Sequence, residues 1–129
     1  MADSALDFSI SPTAQPGQEV NQVTTMVRMT LPMFLVDVPE QAAVCAAVEA
    51  VVTELVDIAA RHRASADLVG RVAFDGTHVT VSVGDMAGPL PAPEQEPGLY
   101  LVHRLADDVG QYDGDFGGRV TWAALPVAG

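Results

Sequence analysis

Residues 40–62 read EQAAVCAAVEAVVTELVDIAARH, and the spacing inside this stretch decides how the rest of the chain must be arranged. Val44, Val48, Val51, Leu55 and Ile58 recur at intervals of four, three, four and three, the repeat of one buried helical face. The spacing predicts a helix over 40–62. Asp37, Val38, Pro39 and Glu40 read as its entrance, with the proline near the first turn and the acids complementing the dipole. Glu54 falls between Val51 and Ile58, on the flank of the apolar stripe. An isolated buried charge is expensive, so an acid there is either paired or functional.

Upstream, residues 1–16 mix Ser, Pro and Gln and read as a flexible segment; only Leu6-Asp7-Phe8-Ser9-Ile10 alternates, as a short edge strand does. Val20, Val23, Val27 and Leu31 predict a first helix from residue 18, ended or kinked by Pro32. The apolar run 33–38 has no decided state. Downstream, residues 61–66 are polar and read as a loop. Residues 68–74 and 78–83 are rich in valine and flank Asp75-Gly76, a strong hairpin signal. Residues 84–97 carry Pro89, Pro91, Pro93 and Pro97, which excludes a helix interior or central strand and predicts a loop or lid. Gly98 opens an amphipathic helix expected to run to about Val109, where Gly110 stops it. A glycine-rich turn over 113–118 leads into a closing strand, 119–125.

Helices and strands do not alternate one for one. The expected fold is therefore α+β, a two-layer sandwich with a mixed, mostly antiparallel sheet and helices on one face, over a single domain at 17–126. A chain of 129 residues can bury one core, and its apolar fraction of 49% favours folding over disorder. No run approaches the length of a membrane span, and the acidic first ten residues do not read as a signal peptide, so a cytoplasmic location is expected. Cys45 is the only cysteine, which leaves no intramolecular disulfide and reads as a thiol packed in the central helix.

Net charge is −11, and all six basic residues are arginine. Without a positive patch, nucleic acid is not an expected partner. Chemistry that needs a lysine amine, such as a P-loop or a Schiff base, is excluded. His62, His78 and His103 have no metal-like spacing to one another or to Cys45. No G-x-S-x-G elbow supports a hydrolase. Asp113-Gly114-Asp115 lacks the remaining ligands of a calcium loop and reads as a solvated turn. Asp85, at a strand end, and Gly98, at a helix start, carry more. A helix N-terminus offers free amides to an anion, and a strand-end acid can accept a hydrogen bond from a base's amine.

The order of these elements resembles the GHKL ATPase superfamily, or Bergerat fold, and is most similar to its small bacterial branch of anti-sigma-factor serine kinases. The resemblance spans 18–125. Its helix motif E-L-V-T-N-A stands here as Glu54-Leu55-Val56-Asp57-Ile58-Ala59, its D-x-G-x-G as Asp85-Met86-Ala87-Gly88-Pro89, its G-x-G-L as Glu96-Pro97-Gly98-Leu99, and its closing G-x-x-x-W as Gly118-Arg119-Val120-Thr121-Trp122. The resemblance implies Glu54 as catalytic base, Asp85, Gly88, Gly98 and Leu99 as nucleotide contacts, and ATP with magnesium as cofactors. It also implies a protein partner: a sigma factor, an antagonist of one, or a second copy through the first-helix region.

The departures matter as much. Ile58 replaces the asparagine that holds magnesium in the family, and an alkyl group cannot ligate a hard cation, so no metal site is expected. Ala87 and Pro89 replace glycines, and Glu96 adds negative charge where the family's phosphates lie. The expectation is a regulatory protein with a degenerate ATP site that acts mainly through protein–protein binding. The alternative is an active ATP-dependent protein serine kinase.

Overall fold

The computed structural model describes residues 4–10, 16–63, 68–114 and 118–127. The chain is α+β. Five strands form an antiparallel sheet in the order β1-β2-β3-β5-β4: β1 Ser4–Ile10, β2 Leu68–Phe74, β3 His78–Met86, β4 Asp108–Asp113 and β5 Arg119–Pro126. Three helices, α1 Pro16–Phe34, α2 Gln41–Arg61 and α3 Gly98–Leu105, complete the described elements. Every pairing among the described residues is antiparallel, where a mixed, mostly antiparallel sheet was expected. The edge strand is longer than its alternating pentapeptide suggested, pairing with β2 from Ser4↔Phe74 to Ile10↔Leu68.

The central helix is where the periodicity placed it. Val48, Val51, Leu55 and Ile58 of the predicted stripe are buried, joined by Val52, Val56 and Ala59, while Val44 is half-buried. Burying a Val, Leu or Ile contributes about 1.5–3 kcal/mol, so this one face is a large share of the core. The helix lies over β3 and β5, with α1 packed on it and on β1, and α3 packed on it and on β4. Strand alternation supplies the other half: Phe8, Leu68, Val72, Val79, Val81, Val83, Ala123 and Leu125 are buried beneath the helices. Cys45 is half-buried, and burial pushes its thiol up from the ordinary value.

Three boundaries differ from expectation. The helix α1 continues through Pro32 to Phe34: proline keeps a helical φ and removes only its own amide bond to the preceding turn, and the Pro32 carbonyl accepts a hydrogen bond from Gln41 Nε2 at 2.9 Å. At the start of α2, Pro39 and Glu40 lie outside the helix and no acid stands in its first turn. Glu40 caps it in the left-handed region (φ 54°), its carbonyl receiving the amides of Ala43 and Val44. Finally, α3 stops at Leu105. The residues expected to continue it, with the Gly110 expected to stop it, belong to β4, whose Gly110 lies under the Trp122 indole across the ladder.

Candidate functional site

Glu54 and Gly98 meet. Glu54 projects from α2 toward the first residue of α3, where a Cβ at Gly98 would overlap Oε1 and stand 2.9 Å from Cδ. Only glycine lets the helix start approach the carboxylate this closely. Ile58 lies one turn further along α2 and is 1% exposed, which makes it a core residue. Leu99 follows Gly98 into the same core and is fully buried.

The entrance to α3 is held from α2 by charge. Arg61 donates through Nη1 to Glu96 Oε2 at 2.9 Å and through Nη2 to Glu96 Oε1, so the guanidinium grips both carboxylate oxygens. The same arginine donates to Asp57 Oδ2 through Nη2 at 2.9 Å and through Nε at 3.3 Å, the i,i+4 pairing of one helix face. The Glu96 carboxyl is held below the usual carboxylate range by its hydrogen bonds to Arg61, and Arg61 is correspondingly pushed up. At the helix start itself, the amides of Leu99 and Tyr100 donate to the carbonyls of Glu96 and Pro97. Those donors, which could otherwise receive an anion, are used internally.

The segment expected as a lid is tied down at both ends. Gly84 to Met86 belong to β3, and the Ala87 amide donates to the His62 carbonyl at 2.7 Å. Gln111 Nε2 donates to the Gly88 carbonyl at 3.3 Å and to Thr121 Oγ1 at 3.0 Å, and Gln111 Oε1 accepts from the Leu90 amide at 3.0 Å. Turns closed on the Ala92 carbonyl by the amides of Gln95 and Glu96 complete it.

Asp85 is elsewhere. By alternation it would share the face of Val79, Val81 and Val83, but the β3–β5 register shifts between Val83 and Met86. Asp85 instead lines a cleft of about 620 Å³ together with Ser82, Val120, Tyr112, Gly114, Arg71 and Asp7, on the face of the sheet away from the helices. The cleft contains neither Glu54 nor Gly98. Asp85 is 5% exposed, and its Oδ2 has no hydrogen-bond partner among the described residues. Of the five site residues expected from the sequence, the fold thus brings Glu54, Gly98 and Leu99 together and places Asp85 in a separate cleft, while Gly88 borders open space.

Sequence reasoning missed the Arg61–Glu96 clamp, although the Asp57–Arg61 spacing was visible, and it missed the cleft altogether. The cleft draws on β1, β2, β3, β4 and β5, with no local motif to announce it. No group of three or more His, Cys, Asp or Glu among the described residues could hold a metal ion. No helix of the described residues is long and apolar enough to cross a membrane. No protein-family model matches the chain, and no curated protein matches it significantly in sequence.

Proposed function

We propose that this chain is a regulatory protein of the anti-sigma-factor serine kinase type, with a GHKL-like scaffold and a degenerate nucleotide site, acting mainly by binding another protein. One observation carries the reading: the place where the motif resemblance puts the phosphates is filled by the protein's own bonds. Glu96 sits there, clamped by Arg61, and the amides of Leu99 and Tyr100 are spent on neighbouring carbonyls. A nucleotide triphosphate would have to displace a paired carboxylate and reopen that turn while approaching Glu54. The position of the family's magnesium ligand is buried isoleucine.

The exposed apolar side of α1 supports a partner surface there. Met26, Met29 and Met33 follow one another at helical spacing on its solvent side, continued by Val36, and the last three are more than 70% exposed. Methionine is flexible and polarizable, which suits a surface that adapts to a protein partner. A sigma factor or its antagonist is the partner class the resemblance supplies; a second copy of this chain is the other.

The active-kinase reading draws on the Glu54–Gly98 contact, which leaves a carboxylate at a helix start where a base would act. Calorimetric titration with ATP and magnesium separates the two. The regulatory reading expects no saturable binding below millimolar ATP. Micromolar, magnesium-dependent binding overturns it in favour of the kinase.

A further inference from the structure

We propose that the cleft on the helix-free face of the sheet binds a guanidinium or primary ammonium group, with Asp85 as its counter-ion. The site stands on observations independent of the nucleotide reading. Asp85 is 95% buried by difference from its 5% exposure, and it lines a cleft whose volume of about 620 Å³ is that of a small-molecule site. Its Oδ2 lacks a partner among the described residues. Buried polar groups are normally satisfied, and a carboxylate more so than any neutral acceptor, so an enclosed, unpaired oxygen on a carboxylate that lines a cleft marks a missing donor.

The surroundings select the charge of that donor. Arg71, the only cation among the described residues that line the cleft, donates to Asp7 Oδ1 at 2.6 Å and to Asp7 Oδ2 at 3.2 Å, so its fork is committed. With Asp7 and Arg71 cancelling, Asp85 leaves the described lining one negative charge in excess. Among the described lining residues the other acid, Asp7, is engaged by Arg71, so Asp85 makes a poor cage for a divalent cation. A monocation bearing N–H donors fits, since it neutralises the cleft-lining carboxylate and supplies the donor that the carboxylate lacks. Gly114 packs directly against the carboxylate, since a Cβ there would stand 2.5 Å from Asp85 Oδ1. Tyr112 on the cleft wall offers an aromatic face to a cation, and Val120 an apolar surface to the stem that carries it.

The same group can arrive on a free amine or on an arginine side chain of a peptide, and the test has an arm for each. Agmatine, N-acetylarginine amide and a blocked Gly-Arg-Gly peptide are titrated into the full chain, followed by calorimetry and by amide shifts in nitrogen–proton spectra. The expected result is saturable binding of at least one cation, with shifts centred on Ser82, Asp85, Tyr112 and Val120. N-acetylcitrulline amide, the uncharged counterpart, should bind at least tenfold more weakly. Asp85→Asn should lose at least tenfold in affinity, while Glu94→Gln, which removes an equal charge away from the cleft, should keep it. A preference for the peptide over agmatine assigns the site to a protein partner, and the reverse assigns it to a small amine. Equal binding of the arginine and citrulline amides, shifts elsewhere, or no binding of any cation at 10-millimolar order overturns the proposal; the amide comparison needs no variant and decides the matter even if Asp85→Asn does not fold.

Discussion

Replacing Ile58 with asparagine restores the residue that the GHKL resemblance places at the magnesium position, and the structure says what that restoration costs. Ile58 is 1% exposed on the buried face of α2, flanked in the helix by Leu55 and Ala59. Removing its side chain from the core forfeits about 1.5–3 kcal/mol of apolar burial. The amide that replaces it adds a desolvation penalty of about 1–3 kcal/mol if its donors find no acceptor. The combined loss of roughly 3–5 kcal/mol is a large part of the 5–15 kcal/mol typical of a domain. For a chain of this size it corresponds to a fall of roughly 10–20 °C in melting temperature. Thermal and urea unfolding of Ile58→Asn beside Ile58→Val measure it, the valine variant costing only about 0.5–1.5 kcal/mol. A melting temperature within about 2 °C of the parent for Ile58→Asn would refute the argument, because it would mean that position 58 faces water or a polar site.

Two further outcomes follow from the sheet and its hairpin. Gly70→Ala places a Cβ within 3 Å of the Phe8 ring carbons Cε1, Cε2 and Cζ, where Phe8 is 5% exposed; the ring must move off β2. Overpacking of this kind costs about 1–3 kcal/mol, read as a lower urea midpoint, and an unchanged midpoint argues against the β1–β2 pairing. In the hairpin turn, the amides of His78 and Thr77 and the Thr77 hydroxyl all donate to Asp75 Oδ1, holding its carboxyl down from the ordinary 3.8 to about 2. A depressed folded-state value means the stabilisation is fully present above pH 3.8 and is lost as pH falls through about 2. Asp75→Asn should therefore flatten the stability–pH curve between about pH 4 and pH 2, leaving the parts due to Glu96 and Asp7; identical slopes for the two proteins count against the turn geometry.

The reach of the sequence differed from element to element. The face of α2 was readable because five apolar residues at helical spacing have no second explanation. The β2–β3 hairpin was readable because Asp75-Gly76 combines a side chain that accepts turn amides with a glycine at φ 99°. The strand β4 was not. Asp-Val-Gly-Gln-Tyr-Asp is short, polar and carries a glycine, and it pairs only with β5, so its local preference says little and the ladder decides its state. Pro32 was read as an end or kink and Gly110 as a stop by residue type; the one sits in a last helical turn and the other beneath an indole.

By itself, the sequence determined what local repetition can determine: an α+β chain with a long core helix, a valine hairpin, a proline-rich connection, no lysine chemistry, and a carboxylate at position 54 that needed an explanation. Tertiary structure decided where each acid points. Glu54 is set against Gly98 because α2 and α3 pack closely, and Glu96 is neutralised by an arginine 35 positions away. Asp85 is turned out of the helical layer by a shift in strand register, toward a cleft drawn from all five strands. Periodicity reports which face of one element is buried; the direction and pairing of a charge depend on neighbours brought from distant parts of the chain, and no local spacing records them.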